Sequence, residues 1–260
     1  MSLTFFEEVL RQLRPYTQEL TFHVLGDPLT LSNLSAYLAL SHRYGFRIML
    51  TTSGYYLEKH LPETLLHPCV KQLNISLNSF NKNDLSLTKE RYFKAIETLC
   101  TYKLKNRSQT FINLRLWNLD EVGSDMTFNE TVFDFCEKLF QTPIDRAMIL
   151  NEHPKSYRVA SKILLHFDEY FQWPSLKNEK RSDGRCHGLQ SHFGILADGR
   201  VVPCCLDGEG VITLGNIHEE SLTAILGKKR TLQIIEGFKK GHAVEELCQK
   251  CTYKHRFDVD

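Results

Sequence analysis

The sequence has almost no charge imbalance: 32 Lys and Arg stand against 31 Asp and Glu, a formal net charge of +1. That balance removes the electrostatic case for binding nucleic acid or an anionic membrane. No apolar run approaches the ~20 residues needed to span a bilayer. Residues 1–15 carry charge throughout and lack a signal-peptide core. A cytoplasmic location is therefore expected. Thiols stay reduced there, so clustered cysteines point to metal ligation or redox work rather than disulfides. The Asn-x-Ser/Thr triplets, such as Asn74-Ile75-Ser76, then carry no meaning as glycosylation sites. Also missing are an internal repeat, a low-complexity tract, a phosphate-cradling Gly-rich loop, a Ser/His/Asp arrangement and a close carboxylate pair suited to acid–base work. The chain has 260 residues, 42% hydrophobic and 24% charged. It has room for one large domain or a domain with a small appendage.

The unusual feature is where the cysteines lie. Five of the eight fall between Cys186 and Cys251. After Cys186, the segment His192 to Ala197 leads into Asp198-Gly199, and Arg200 to Pro203 leads back to Cys204 and Cys205. Alternating apolar residues around an Asp-Gly pair predict a β-hairpin. Its far end would bring Cys204 near Cys186. Cys248-Gln249-Lys250-Cys251 adds two sulfurs from one tight loop. Cys186, Cys204, Cys248 and Cys251 are thus a candidate four-thiolate metal site for zinc or iron–sulfur iron. Spacing alone slightly favours zinc. Cys205 is read as a bystander, His187 and His242 as surface histidines. Cys69, Cys100 and Cys136 are isolated, the last two inside helical patterns.

Ahead of the cysteines, helical and strand patterns alternate. A helix capped at Thr4–Glu7 precedes a strand over 20–25. A helix from Ser32 to Tyr44, stopped by Gly45, precedes a strand over 46–51. Further strands are expected over 70–77, 110–117 and 144–150, and further helices over 87–104, 129–140 and 156–169. Two more helices are expected around 219–227 and 230–240. This order predicts an α/β fold built on parallel strands, with its working edge at the strands' C-terminal ends. Gly26-Asp27-Pro28, Thr51-Thr52-Ser53-Gly54, Ser76-Leu77-Asn78 and Trp117-Asn118 would line that edge. His23, mid-strand, would be a packed or barrel-lining residue.

Taken together, these residues resemble radical S-adenosylmethionine enzymes with a C-terminal SPASM-type domain. Cys186, Gly199-x-x-x-x-Cys204, Cys248-x-x-Cys251 and Leu214-Gly215-Asn216-Ile217 resemble a shortened SPASM module. The resemblance implies an auxiliary [4Fe–4S] cluster on the four cysteines. Leu25-Gly26-Asp27-Pro28-Leu29 resembles the family's Gly-Gly-Glu-Pro turn, with aspartate in place of glutamate. Thr51 to Gly54 resembles its Thr-Asn-Gly turn. By resemblance Gly26, Asp27, Pro28, Thr52, Ser76 and Arg115 would contact S-adenosylmethionine. The fold implied is a partial (β/α) barrel over 1–178, followed by a SPASM-like cysteine domain with a hairpin over 179–260.

One motif of that family is absent: no Cys-x-x-x-Cys-x-x-Cys occurs in these residues. The chain therefore reads as an N-terminally truncated barrel without its first strand or the thiolates for a catalytic cluster. In complete form the resemblance implies a second [4Fe–4S] cluster, a 5′-deoxyadenosyl radical, a peptide or protein substrate, and a reductant such as flavodoxin or ferredoxin. The alternative is a non-catalytic Cys₄ module, binding zinc or an electron-transfer cluster.

Overall fold

The computed structural model describes residues 1–24, 26–82, 87–116, 126–168 and 171–257. In chain order its elements begin with α1 (Leu3–Leu13), β1 (Glu19–Phe22), α2 (Leu34–Arg43), β2 (Arg47–Thr52), α3 (Pro62–Leu65), β3 (Val70–Ser76), α4 (Leu77–Lys82), α5 (Lys89–Lys105), β4 (Phe111–Arg115) and α6 (Met126–Phe140). They continue with α7 (Arg146–Glu152), β5 (Ser156–Ala160), β6 (Ile163–His166), β7 (Gly194–Ile195), β8 (Arg200–Val202), β9 (Gly215–Asn216), α8 (Leu222–Leu226), α9 (Lys229–Lys239) and α10 (Glu246–Gln249). Two compact units result. One comprises Thr17–His23 with Asp27–Tyr170, the other Met1–Tyr16, Val24–Gly26 and Phe171–Asp260.

The sheet unit carries six strands in the order β1-β2-β3-β4-β6-β5. All pairs are parallel except β5 with β6. This is the expected α/β architecture with a mainly parallel, partial-barrel type of sheet. Its two faces differ sharply. Leu50, Leu73, Ile112 and Ile163 stand side by side across four strands, and each is 0% exposed. One step along, Thr51, Asn74 and Asn113 form a polar row on the opposite face. Asn74 Nδ2 donates to Thr51 Oγ1 at 3.1 Å, and Asn113 Nδ2 donates to Asn74 Oδ1 at 3.0 Å. Parallel sheets usually bury apolar residues on both faces. This sheet departs from that by carrying a hydrogen-bonded polar row on one face.

Helix α5 packs through Tyr92, Phe93, Ile96, Leu99, Cys100 and Lys103, all buried, at helical spacing. Thr88 caps it, accepting from Arg91 N. Gly45, at φ 72°, ends the turn after α2 as expected.

Several local expectations need correction. The cap of α1 is Ser2, whose hydroxyl accepts from Phe5 N at 3.2 Å, not Thr4. The cap position of helix α2 is Asn33 rather than Ser32, and the helix begins at Leu34. The strand expected over 144–150 is helix α7. Asp145 caps it, accepting from Met148 N at 2.9 Å, and Arg146 is held by Glu130, Asp134 and Glu137. A good cap and an ion-pair cluster outweigh a short apolar run. The helix expected over 156–169 is the β5–β6 hairpin, turning through Lys162 at φ 57°. Ile163, Leu165 and Phe167 are buried alternately, a period of two where a period near 3.6 was read. Leu25 and Trp117-Asn118 lie outside the described residues.

In the second unit β7, β8 and β9 form an antiparallel sheet. Its hairpin is the one expected, with Gly199 at φ 89°. A Cβ there would lie 2.5 Å from Asn216 Oδ1, so both conformation and space call for glycine. Helix α1 packs here: Phe5 stacks on His218 with centroids 3.7 Å apart, and Gln12 Oε1 accepts from Leu222 N at 2.7 Å. Among the described residues no helix is long and apolar enough to cross a membrane.

Candidate metal centre and cofactor face

Three separate segments carry the four assigned cysteines into one neighbourhood. The first runs through Ser182 to Gly188 and is tied to the chain after α9, where Ala243 N donates to Ser182 O and Gly184 N to Gly241 O. The second is the exit of β8. Between them lies Gly188, where a Cβ would stand 3.7 Å from Cys186 Sγ and 3.9 Å from Cys204 Cβ. Asp207 shapes the chain beyond Cys204. It is 2% exposed, and its two oxygens accept from Val211 N and Ile212 N, each at 2.8 Å. The third segment is α10 with Cys248 and Cys251, whose N–H donates to Cys248 O.

Lys254 knots the third segment to the first. It is 2% exposed. Its ammonium donates to the carbonyls of Arg181 (2.8 Å), Gln249 (3.2 Å), Cys248 (3.3 Å) and Cys251 (3.3 Å). Its charge favours the ionised forms of Cys186 and Cys251. Sequence reasoning passed over both Lys254 and Asp207. A lysine three residues beyond a Cys-x-x-Cys pair looks like any exposed basic residue until its burial is seen.

Burial pushes every one of these thiols above its ordinary range, Cys204 to about 12. After burial, the charges of Cys204, Cys186 and Cys251 push Cys248 up further. Cys248 thus lies within electrostatic reach of the other three. Cys205 is also raised by burial and then by Cys186. Yet among the described residues no group of three or more His, Cys, Asp or Glu is close enough to hold a single metal ion. The two observations describe thiols gathered around one volume but not drawn to one point. His187 and His242 are exposed.

At the sheet's C-terminal edge, Asp27 binds the turn after β2. Its Oδ2 accepts from Thr52 Oγ1 (2.8 Å), Ser53 N (2.9 Å) and Ser53 Oγ (2.6 Å), and its Oδ1 from Leu29 N (3.0 Å). From above, Tyr92 Oη donates to Ser53 O at 2.8 Å. Gly54, at φ 87°, has no room for a side chain against that ring. Asp27 is therefore a clasp: three donors crowd Oδ2 and one takes Oδ1, which leaves a single acceptor position, on Oδ1. Pro28 is buried behind it, and Gly26 has open space where a Cβ would stand.

Ser76 and Arg115 are register partners on β3 and β4, and His166 on β6 partners Arg115. His166 Nδ1 is buried without a hydrogen-bond partner among the described residues. Burial first, and Arg115's charge second, hold this imidazole below its ordinary range, so it is neutral near pH 7. His166 was missed because its strand was read as helix.

Residues 186–252 match SPASM, an iron–sulfur cluster-binding domain. No curated protein matches the chain by sequence. Among solved structures, the chain is similar to BtrN in complex with AdoMet and 2-DOIA, at 14% identity and a TM-score of 0.52, covering 97% of this chain and 80% of BtrN. It is also similar to SuiB from Streptococcus suis, at 14% identity and a TM-score of 0.60, covering 96% of this chain and 64% of SuiB. Other SuiB structures hold S-adenosylmethionine or the precursor peptide SuiA. At these identities the likeness speaks for the fold.

Proposed function

We propose that this chain is a radical S-adenosylmethionine/SPASM protein in which Cys186, Cys204, Cys248 and Cys251 hold an auxiliary [4Fe–4S] cluster. The convergence of four thiols from three segments, inside the stretch that matches an iron–sulfur domain, carries this reading. The donor set fits the group: all four are thiols, the usual ligands of such clusters. Zinc would draw four sulfurs to about 2.3 Å from one centre. A cluster holds each thiolate on its own iron, and the match of residues 186–252 to an iron–sulfur domain favours it.

When bound, the auxiliary cluster supplies an electron acceptor or a substrate anchor. The chain's own part is to enclose it in buried thiols and to balance its charge with Lys254. On the sheet unit, the row Thr51–Asn74–Asn113 and the edge residues Thr52, Ser76, Arg115 and His166 offer a polar face to S-adenosylmethionine and substrate. Asp27 first holds the Thr52–Ser53 turn in place. An ammonium group facing it would have to share Oδ1 with Leu29 N. No Cys-x-x-x-Cys-x-x-Cys triplet occurs among these 260 residues, and on this reading radical generation needs such thiolates from elsewhere. A peptide substrate is favoured by the SuiB structure with its precursor peptide. A flavodoxin- or ferredoxin-type reductant would deliver the electrons.

The missing triplet also favours a second reading, a non-catalytic Cys₄ module. Anaerobic reconstitution with iron and sulfide separates the two. A brown protein with about four irons per chain and thiolate-to-iron absorption supports the cluster. A colourless protein that takes up one zinc and refuses iron would overturn it.

A further inference from the structure

Beside Cys186 the C-terminal unit holds a cavity of about 490 Å³, within the range of small-molecule sites. Arg185, Lys239 and Arg256 line it together with Cys186, and Phe238 and Phe257 supply apolar wall. Among the described residues no carboxylate lines it. Elsewhere in the protein the well-placed cations are answered: Arg146 by three carboxylates, Arg230 by Glu245. Arg185 and Lys239 make no ion pair or side-chain hydrogen bond among the described residues. Arg256 is oriented by stacking, 4.9 Å from the Tyr253 ring and 5.1 Å from Phe171. Like charges around one volume repel each other, and an anion placed between them relieves that cost.

We propose that this cavity binds an organic acid. Its carboxylate is taken by Arg185, Lys239 and Arg256, because guanidinium groups match a planar carboxylate. Its apolar body lies against Phe238 and Phe257. The volume exceeds what a bare ion needs, and the aromatic wall rewards a ligand with an apolar part. Binding itself does not depend on the cluster. That the ligand lies against the metal centre, through Cys186, rests on the reading proposed above.

The test uses the full chain, loaded anaerobically with iron and sulfide. Two probes are titrated by calorimetry: free phenylacetate, and a capped hexapeptide containing a Glu-Phe pair. The visible spectrum is followed in parallel. Binding of at least one probe is expected, weakened about tenfold or more in Arg185→Gln and in Lys239→Gln and unchanged in Lys229→Gln. Binding of the peptide alone would identify a peptide source for the acid; binding of phenylacetate alone, a small-molecule source. A perturbed cluster spectrum would place the ligand at Cys186. Equal binding by a chain that takes up zinc and refuses iron would support the cavity while removing the iron–sulfur reading. Three results would overturn the proposal: no binding of either probe, undiminished binding in the Arg185→Gln/Lys239→Gln double variant, or binding that appears only after residues 258–260 are deleted. The last would mean that Asp258 or Asp260 of the chain itself occupies the site.

Discussion

Cys69, Cys100 and Cys136 of the sheet unit and the five cysteines of the C-terminal unit share a residue type but belong to different kinds of environment. Cys100 and Cys136 sit on the packed faces of α5 and α6, 0% and 1% exposed. Burial lifts Cys100 to about 12 and Cys69 to about 11. They behave as small apolar side chains. Burial also raises the C-terminal thiols, but they come from loops, lie near one another and have Lys254 beneath them. The sheet unit is held by rows such as Leu50–Leu73–Ile112–Ile163. The second unit has strands of two or three residues and depends more on turns, caps and whatever its thiols bind. A raised thiol pKa thus marks burial in both places; only convergence from separate segments marks a site.

The hardest test of that contrast is a pair of substitutions. Cys204→Ser should remove essentially all bound metal and lower the melting temperature of the C-terminal unit. Cys100→Ala should leave metal content intact and cost about 1 kcal/mol through a small cavity. Metal analysis with calorimetry reads both. Equal metal loss in the two variants would end the assignment.

How far the sequence foretold this follows the same division. The hairpin at Asp198-Gly199 was legible because its turn chemistry is local, and so was the helix stop at Gly45. The candidate thiol set was legible because spacing and turn together imply convergence. Lys254, Asp207 and His166 were not. Each matters through burial against residues far along the chain, and nothing in the local pattern reports that. The exchange of strand for helix over 144–150, and of helix for strand over 156–166, has a plain cause. Both segments are short, and an N-cap at Asp145 and a left-handed residue at Lys162 decided them, not periodicity.

Next in size is a core substitution confined to the sheet unit. Leu73→Ala should cost about 3 kcal/mol and leave the metal content unchanged, seen as a lower urea midpoint for one transition only. If instead the metal is lost as well, the two units are energetically coupled and the contrast is too sharp. Lys254→Met probes the other side. Removing an ammonium from four carbonyls should cost about 2 kcal/mol and weaken metal retention against a chelator. Lys254→Arg should not restore it, because a planar guanidinium does not reproduce a compact ammonium aimed at four carbonyls at once.

The smallest effect is a pH dependence in which the sheet unit should differ from the metal centre in range. Glu137 is held below its ordinary value of 4.5 by Arg146 and then by Ile144 N–H. A carboxylate depressed in the folded state adds stability above the unfolded value and loses it as pH falls through the folded value. The urea midpoint of the sheet unit should therefore decline as the pH falls below Glu137's ordinary value of 4.5, and Glu137→Gln should flatten that decline. The effect is modest because the pair is partly exposed to solvent. The thiols respond in the same sense but over a higher range. Their raised pKa values keep them protonated near neutrality, and metal binding must displace those protons. Metal affinity should rise with pH over the range where Glu137 has no further influence. If one pH profile described both metal affinity and sheet-unit stability, the two sets of buried cysteines would not be the separate systems their surroundings indicate.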